Sequence, residues 1–301
     1  MTAAPTPDES AGGAGRVIIA GYGDVGARVA RGWTAPQPLV AVNRTGRWAE
    51  MARPPAMEVT DLAWLGRLLT PTDRLLWLAP PPAQGESDTI LAAALGPVAR
   101  LQRLVYLSTS GVYGDCQGAW VTEEAPRRPQ TPRACRRAHA ESVVQAFGQR
   151  SGTPVAIVRV PGIYGPGRLP RRRIEKGLPT LAAAISPWSN RVHVEDLAAL
   201  LRQLLVDGEG VFNISDGQPG TITEYFHAVA DVLDLPRLPE VDDPADLTPE
   251  LASYMRESRR LDISRVRQEY GFAPRFPDLR AAVPDCRTDD LRWRRSADSL
   301  G

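Results

Sequence analysis

No apolar run in this sequence approaches the roughly 20 residues that a membrane-spanning helix needs, which argues against any bilayer segment. Residues 1–15 lack the basic start and apolar middle of a secretory signal; rich in Ala, Pro and Gly, they read as a disordered tail. Both absences predict a cytoplasmic protein. Neither charge sign dominates: 36 Lys and Arg stand against 35 Asp and Glu. A nucleic-acid or anionic-membrane partner therefore has no electrostatic basis, and the short run Arg171-Arg172-Arg173 reads as a solvated face. Cysteine is scarce. Cys116, Cys135 and Cys286 form no C-x-x-C pair, and an odd count suits reduced thiols. Only His139, His193 and His227 accompany them, so no zinc spacing appears and no metal site is expected.

What is present is alternation. Short runs at residues 16–20, 38–42, 58–60, 74–78, 103–107 and 154–160, most of them apolar and the first β-branched, read as strands. Helical spacing falls between them at 27–33, 61–69, 88–95 and 132–149. Strands this apolar suit a parallel sheet with helices on both faces and right-handed crossovers. Beyond residue 162 the pattern loosens. Helices are expected at 195–205, 223–233 and 266–270, a strand at Val211–Ile214 returning to the sheet, and a loop at 235–249. The expected organisation is a tail (1–15), an α/β doubly wound domain (16–165) and a smaller C-terminal substrate lobe (166–301).

The first strand runs into Gly21-Tyr22-Gly23-Asp24-Val25-Gly26, which fits G-x-G-x-x-G. The motif gains meaning from its place between a strand and a helix. Gly21 permits a tight turn, Gly23 leaves room for a diphosphate, and Gly26 lets helix and strand pack closely. The helix start offers unpaired N–H groups to the phosphates. This predicts a Rossmann domain binding a nicotinamide dinucleotide. Asp24 is expected to cap the helix with its carboxylate on backbone N–H groups. An NAD site usually places an acid about 20 residues on, to hold the ribose hydroxyls. Here Asn43-Arg44-Thr45 stands there, and Arg44 suits a 2′-phosphate, with Arg47 in support. The expected cofactor is NADP(H), with NAD(H) the alternative, and with Arg44 as a plain surface charge the competing reading. Asp61 either faces the adenine or caps its own helix.

The segment Leu107-Ser108-Thr109-Ser110-Gly111-Val112-Tyr113-Gly114-Asp115 resembles the extended short-chain dehydrogenase/reductases, the NAD-dependent epimerase/dehydratase family. Further matches follow in order: Glu123-Glu124-Ala125-Pro126, Arg159-Val160-Pro161-Gly162-Ile163-Tyr164-Gly165-Pro166-Gly167, His193-Val194-Glu195-Asp196-Leu197-Ala198 and Phe212-Asn213-Ile214-Ser215-Asp216. The resemblance implies cofactor at the C-terminal edge of the sheet, a closing lobe, Thr109 holding the substrate oxygen, and usually a homodimer. Leu78, Ala79 and Pro161 join the glycine loop, Asn43, Arg44 and Asp61 in the expected cofactor set.

The family's Tyr-x-x-x-Lys pair does not appear. Counting back from Glu141 places Arg133 at the Tyr position and Arg137 at the Lys position. The chain thus resembles an atypical branch of the family. Arginine stays protonated, so Arg133 cannot serve as an acid/base; Arg137 can still hold the ribose or an anion. The proton must come from Tyr113, Tyr164, His193 or water, each residue having a structural role as its alternative. Arg191 reads equally as an anion ligand or a surface charge. Cys116 has no activating neighbour in sequence and reads as inert. Gly165-Pro166-Gly167-Arg168 is a mobile substrate loop or a plain connector. The expected function is an NAD(P)-dependent oxidoreductase or epimerase/dehydratase-like protein acting on a small polar metabolite, with an anionic one among the alternatives. The competing expectations are a non-catalytic, redox-sensing NAD(P) binder and an oligomer subunit with a vestigial site.

Overall fold

The computed structural model describes residues 15–43, 56–58, 62–279 and 281–282. Arg44, Arg47, Asp61 and the expected tail at 1–14 lie outside the described residues, and Asn43 is described in its backbone alone.

The alternation of apolar runs becomes one seven-stranded parallel sheet. β1 (Val17–Ala20) leads through the glycine loop into α1 (Asp24–Arg31), then to β2 (Leu39–Asn43) and β3 (Ala56–Glu58) on one side. On the other side β4 (Arg74–Trp77) pairs with β1, and β5 (Arg103–Thr109) pairs with β4. Between them lies α2 (Thr89–Leu95), its start fixed by Asp88, whose carboxylate accepts the Leu91 N–H at 3.0 Å. Next come β6 (Trp120–Val121), α3 (Pro132–Ser151) and β7 (Val155–Val160). Thr131 caps α3, Pro132 opens it and left-handed Gly152 ends it, each as its residue type favours. The order reverses at β1, the switch point where open parallel sheets bind ligands.

Strands β1, β4, β5 and β7 are buried nearly throughout, and two apolar clusters cover the sheet's opposite faces. Val17 and Ile19 join one cluster, Ile18 and Ala20 the other, as the two-residue period of a strand dictates. Several expected helices and strands sit within a residue or two of their observed bounds. The helical stretch at residues 62–68 is a 3-10 helix.

Beyond β7 the chain builds small two-stranded pairs, parallel except for Trp188–Ser189 with Gly220–Thr221. β8 (Gly162–Tyr164) precedes α4 (Arg171–Glu175), β9 (Thr180–Leu181) and β10 (Trp188–Ser189). β11 (Arg191–His193) pairs with β8 and runs straight into α5 (Val194–Asp207). Helix α5 packs on α1, and β12 (Gly210–Asn213) extends the central sheet beside β7, so this part of the chain returns to the first layer. β13 (Gly220–Thr221), α6 (Ile222–Val232), β14 (Glu240–Val241), α7 (Pro249–Tyr254), β15 (Arg260–Leu261) and α8 (Ser264–Tyr270) complete the order. A separate apolar cluster led by Phe226, Val229, Leu238 and Leu251 forms the core under α6 and α7. The stretch 235–249 is not wholly loop: β14 pairs with β9 there. No described helix is long and apolar enough to cross a membrane.

Candidate functional site

The glycine loop is stitched to its neighbours by backbone. Gly21 and Tyr22 donate to Val42 O at 3.0 and 3.1 Å, while Leu78 and Ala79 donate to Ala20 O at 2.8 and 3.1 Å. Leu78 and Ala79 therefore lie against the loop. Gly21 adopts φ +83°, and a Cβ there would lie 2.4 Å from Ala79 N, so glycine is required on two counts. Gly26 is buried with Ile19 and Tyr22 only 3.2–3.3 Å from where its Cβ would be, which is the close helix–strand packing expected of it. Gly23 is different. Its φ of −128° suits any residue, and a Cβ would meet nothing within 4 Å. The space over Gly23, at the start of α1, is open where a diphosphate would approach the helix N–H groups, so the residues fit a dinucleotide.

Asp24 corrects the sequence reading. It does not cap α1; Gly23 holds the cap position, and no side chain caps that end. The Asp24 carboxylate instead pairs with Arg28 at 2.9 Å and with Arg168 at 2.6 Å. Arg28 is buried and also pairs with Glu195 of α5. Two guanidinium groups thus offset the negative charge that this acid would otherwise present to a phosphate. Arg168, from the Gly165–Gly167 loop, reaches across to the glycine loop.

The C-terminal ends of β5 and β7 form the second part. Thr109 pairs in register with Val160, next to half-buried Pro161. Thr109 Oγ1 accepts the Gly111 N–H at 3.2 Å, which leaves its hydroxyl hydrogen for another acceptor. Arg137 donates to Leu107 O at 2.8 Å and to the buried Tyr106 hydroxyl at 3.0 Å. One turn earlier, exposed Arg133 donates to the hydroxyl of Tyr254 on α7 at 3.0 Å and covers its ring.

The other candidates lie elsewhere. Tyr113 is fully buried; its hydroxyl donates to Asn213 Oδ1 at 2.7 Å and accepts from Arg159 at 2.8 Å. Burial pushes its pKa up to about 12 despite Arg159. Arg159 also grips Glu141 at 2.8 and 3.1 Å, and Ser108 donates to Glu141 at 2.5 Å. This chain of buried groups ties β5, α3, β7 and β12 together. Tyr164 is fully buried and donates to Phe276 O at 3.1 Å. His193, also buried, caps α5 by accepting the Glu195 N–H at 3.3 Å and packs on Phe276. Tyr164 and His193 meet edge to face, centroids 5.2 Å apart. Tyr164 lines a cavity of about 170 Å³ with Arg191, Asp216, Glu224, Tyr225 and Asp278. Burial lifts the Asp216 carboxyl to about 7, against the pull of Arg191 and the Gln218 N–H. Arg191 stacks over Tyr225, its guanidinium 4.1 Å from the ring centroid.

Residues 85–215 match the model of the NAD dependent epimerase/dehydratase family. That stretch of the chain is similar to the family. Protein YeeZ of Escherichia coli K12 is 27% identical over 283 residues, covering 87% of this chain and 97% of its own length. A conserved protein of unknown function from Silicibacter pomeroyi superposes with TM-score 0.75 at 28% identity, over 91% of this chain and 99% of that one. The dTDP-glucose 4,6-dehydratase DesIV of Streptomyces venezuelae, solved with NAD and TYD bound, gives TM-score 0.75 at 21% identity, over 95% and 98%. At that identity DesIV shares the fold.

Sequence reasoning missed Glu141, Arg159 and Asn213 as one network, Arg168 as a partner of the glycine loop, and Tyr254. Nothing in local spacing joins Arg133 to a residue on a helix that begins at Pro249.

Proposed function

We propose that this protein is a member of the NAD-dependent epimerase/dehydratase family, an NAD(P)-dependent oxidoreductase or epimerase/dehydratase-like enzyme acting on a small polar metabolite. The open space over Gly23, at the head of α1 and the sheet's switch point, carries this reading. The bound cofactor supplies a hydride acceptor or donor. The protein's own residues do the rest. Backbone N–H groups at the start of α1 hold the diphosphate. Thr109, its hydroxyl hydrogen uncommitted, holds the substrate oxygen. Arg137, fixed by Leu107 O, sets a positive charge at the end of β5. Relatives point to the first substrates to try: DesIV is a dTDP-glucose 4,6-dehydratase, and MoeE5 was solved with UDP-glucose and NAD.

The cofactor preference we assign is NADP(H), on Arg44 standing where an acid would hold the ribose of NAD. Titration of NADPH and NADH into the protein, followed by turnover with carbonyl compounds and nucleotide sugars, tests the reading. Turnover that vanishes in Thr109→Ala while cofactor affinity holds supports it. Tight cofactor binding with no turnover across the panel favours a redox-sensing binder instead.

A further inference from the structure

Reduction of a carbonyl, or its reverse, requires a proton at the oxygen as well as a hydride at carbon. Arg133 cannot supply it, because its guanidinium stays protonated. The seven tyrosines differ sharply in what their hydroxyls are doing. Tyr113 and Tyr164 are fully buried and spend their protons on Asn213 and Phe276 O. Tyr106 is fully buried behind Arg137. Tyr270 sits at Glu209, on the outer side of β12. Tyr106 and Tyr270, like Tyr254, accept their hydrogen bonds, but Tyr254 stands apart in being 54% exposed, with its hydroxyl accepting from Arg133. Its own proton therefore stays available to an acceptor in front of it.

Its place also fits. Arg133 lies in the first turn of α3, beside Ala134, whose methyl would sit 3.7 Å from a Cβ on Gly111. Gly111 donates to Thr109, and Arg137 on the same helix face donates to β5 two residues before Thr109. Arg133 thus ties Tyr254 to the first turn of α3, the helix that Ala134 and Arg137 bring against the end of β5. We infer that Tyr254, brought from α7 and held by Arg133, is the acid/base of the site. This rests on the proposed oxidoreductase reading. The carbonyl carbon receives hydride from a dihydronicotinamide cofactor, and the carbonyl oxygen takes the Tyr254 proton. The remaining phenolate faces the Arg133 cation and regains its proton from water. Oxidation of an alcohol runs the same transfers backwards.

Nitration by tetranitromethane, mapped by peptide mass spectrometry, reads the position without any substrate. Tyr254 nitrates in the free protein, and saturating NADPH slows that reaction. On a substrate that turns over, Tyr254→Phe lowers kcat by about 100- to 10,000-fold with cofactor affinity unchanged. An exposed tyrosine makes that variant safe to fold, and its melting temperature checks this. Nitration of Tyr254 that is indifferent to bound NADPH, or turnover in Tyr254→Phe equal to the parent, overturns the assignment. Calorimetry in the same series separates this from the underlying reading: absence of any NADPH binding overturns both together.

Discussion

Tyr113 shows how a residue can be conspicuous in sequence and still serve structure. Its hydroxyl sits between Arg159 and Asn213 in a fully buried network that also holds Glu141. Burial works against the Arg159 cation, but the Glu141 carboxylate outweighs it and raises the guanidinium's pKa further. Tyr113→Phe leaves Arg159 Nη1 and Asn213 Oδ1 each short of a partner. Unfolding in denaturant should show a loss of about 1–3 kcal/mol, with turnover per folded molecule preserved. Asp216 offers a titration. Its folded pKa of about 7 lies above the ordinary 3.8, so the folded state binds the proton more tightly than the unfolded one. Stability from this group is present at low pH and is lost as pH rises through that window. Asp216→Asn should therefore raise the melting temperature relative to the parent more at about pH 8 than at about pH 5. Tyr113, Tyr164 and His193 were legible as polar groups in suggestive places. Their partners were not, since Asn213 lies 100 positions from Tyr113 and Phe276 is 112 from Tyr164.

At the scale of elements, the glycine loop separates folding from binding. Alanine at Gly21 must take a left-handed φ and push against Ala79 N, so Gly21→Ala should lower the melting temperature. The strain alone is about 1–2 kcal/mol. Alanine at Gly23 meets nothing within 4 Å and needs no unusual backbone. Gly23→Ala should melt like the parent while losing affinity for pyridine nucleotide, measured by calorimetry. The central strands were legible because parallel strands under two helical layers are mostly apolar, as Leu104–Leu107 and Val155–Val158 are. The two-residue strands β9, β13, β14 and β15 were not. Such pairs are chosen by distant partners, Thr180 with Glu240 and Trp120 with Arg260, and leave no local period. Asp24 shows the same limit: an acid at a helix start suggests a cap, and only the fold brings Arg168 to it.

Across the whole molecule, one sheet edge gathers the glycine loop, Leu78, Ala79, Thr109 and Arg137, and Arg133 of α3 binds Tyr254 of α7. Arg28 with Glu195 and Arg168 with Asp24 bind later parts of the chain back onto α1. Affinity at that edge should carry the mark of the cofactor's 2′-phosphate. Arg44→Ala is expected to weaken NADPH binding by roughly 10- to 150-fold, the worth of a charge-assisted contact, and NADH binding far less. Equal losses for both would remove the NADP assignment and leave the dinucleotide site in place. The most direct measurement is calorimetric titration of NADPH and NADH into the parent protein and into Gly23→Ala at matched stability. Saturable binding to the parent, sharply reduced in Gly23→Ala, is the predicted result. Failure of the parent to bind either nucleotide, or equal affinity in the variant, would contradict a diphosphate seated over Gly23.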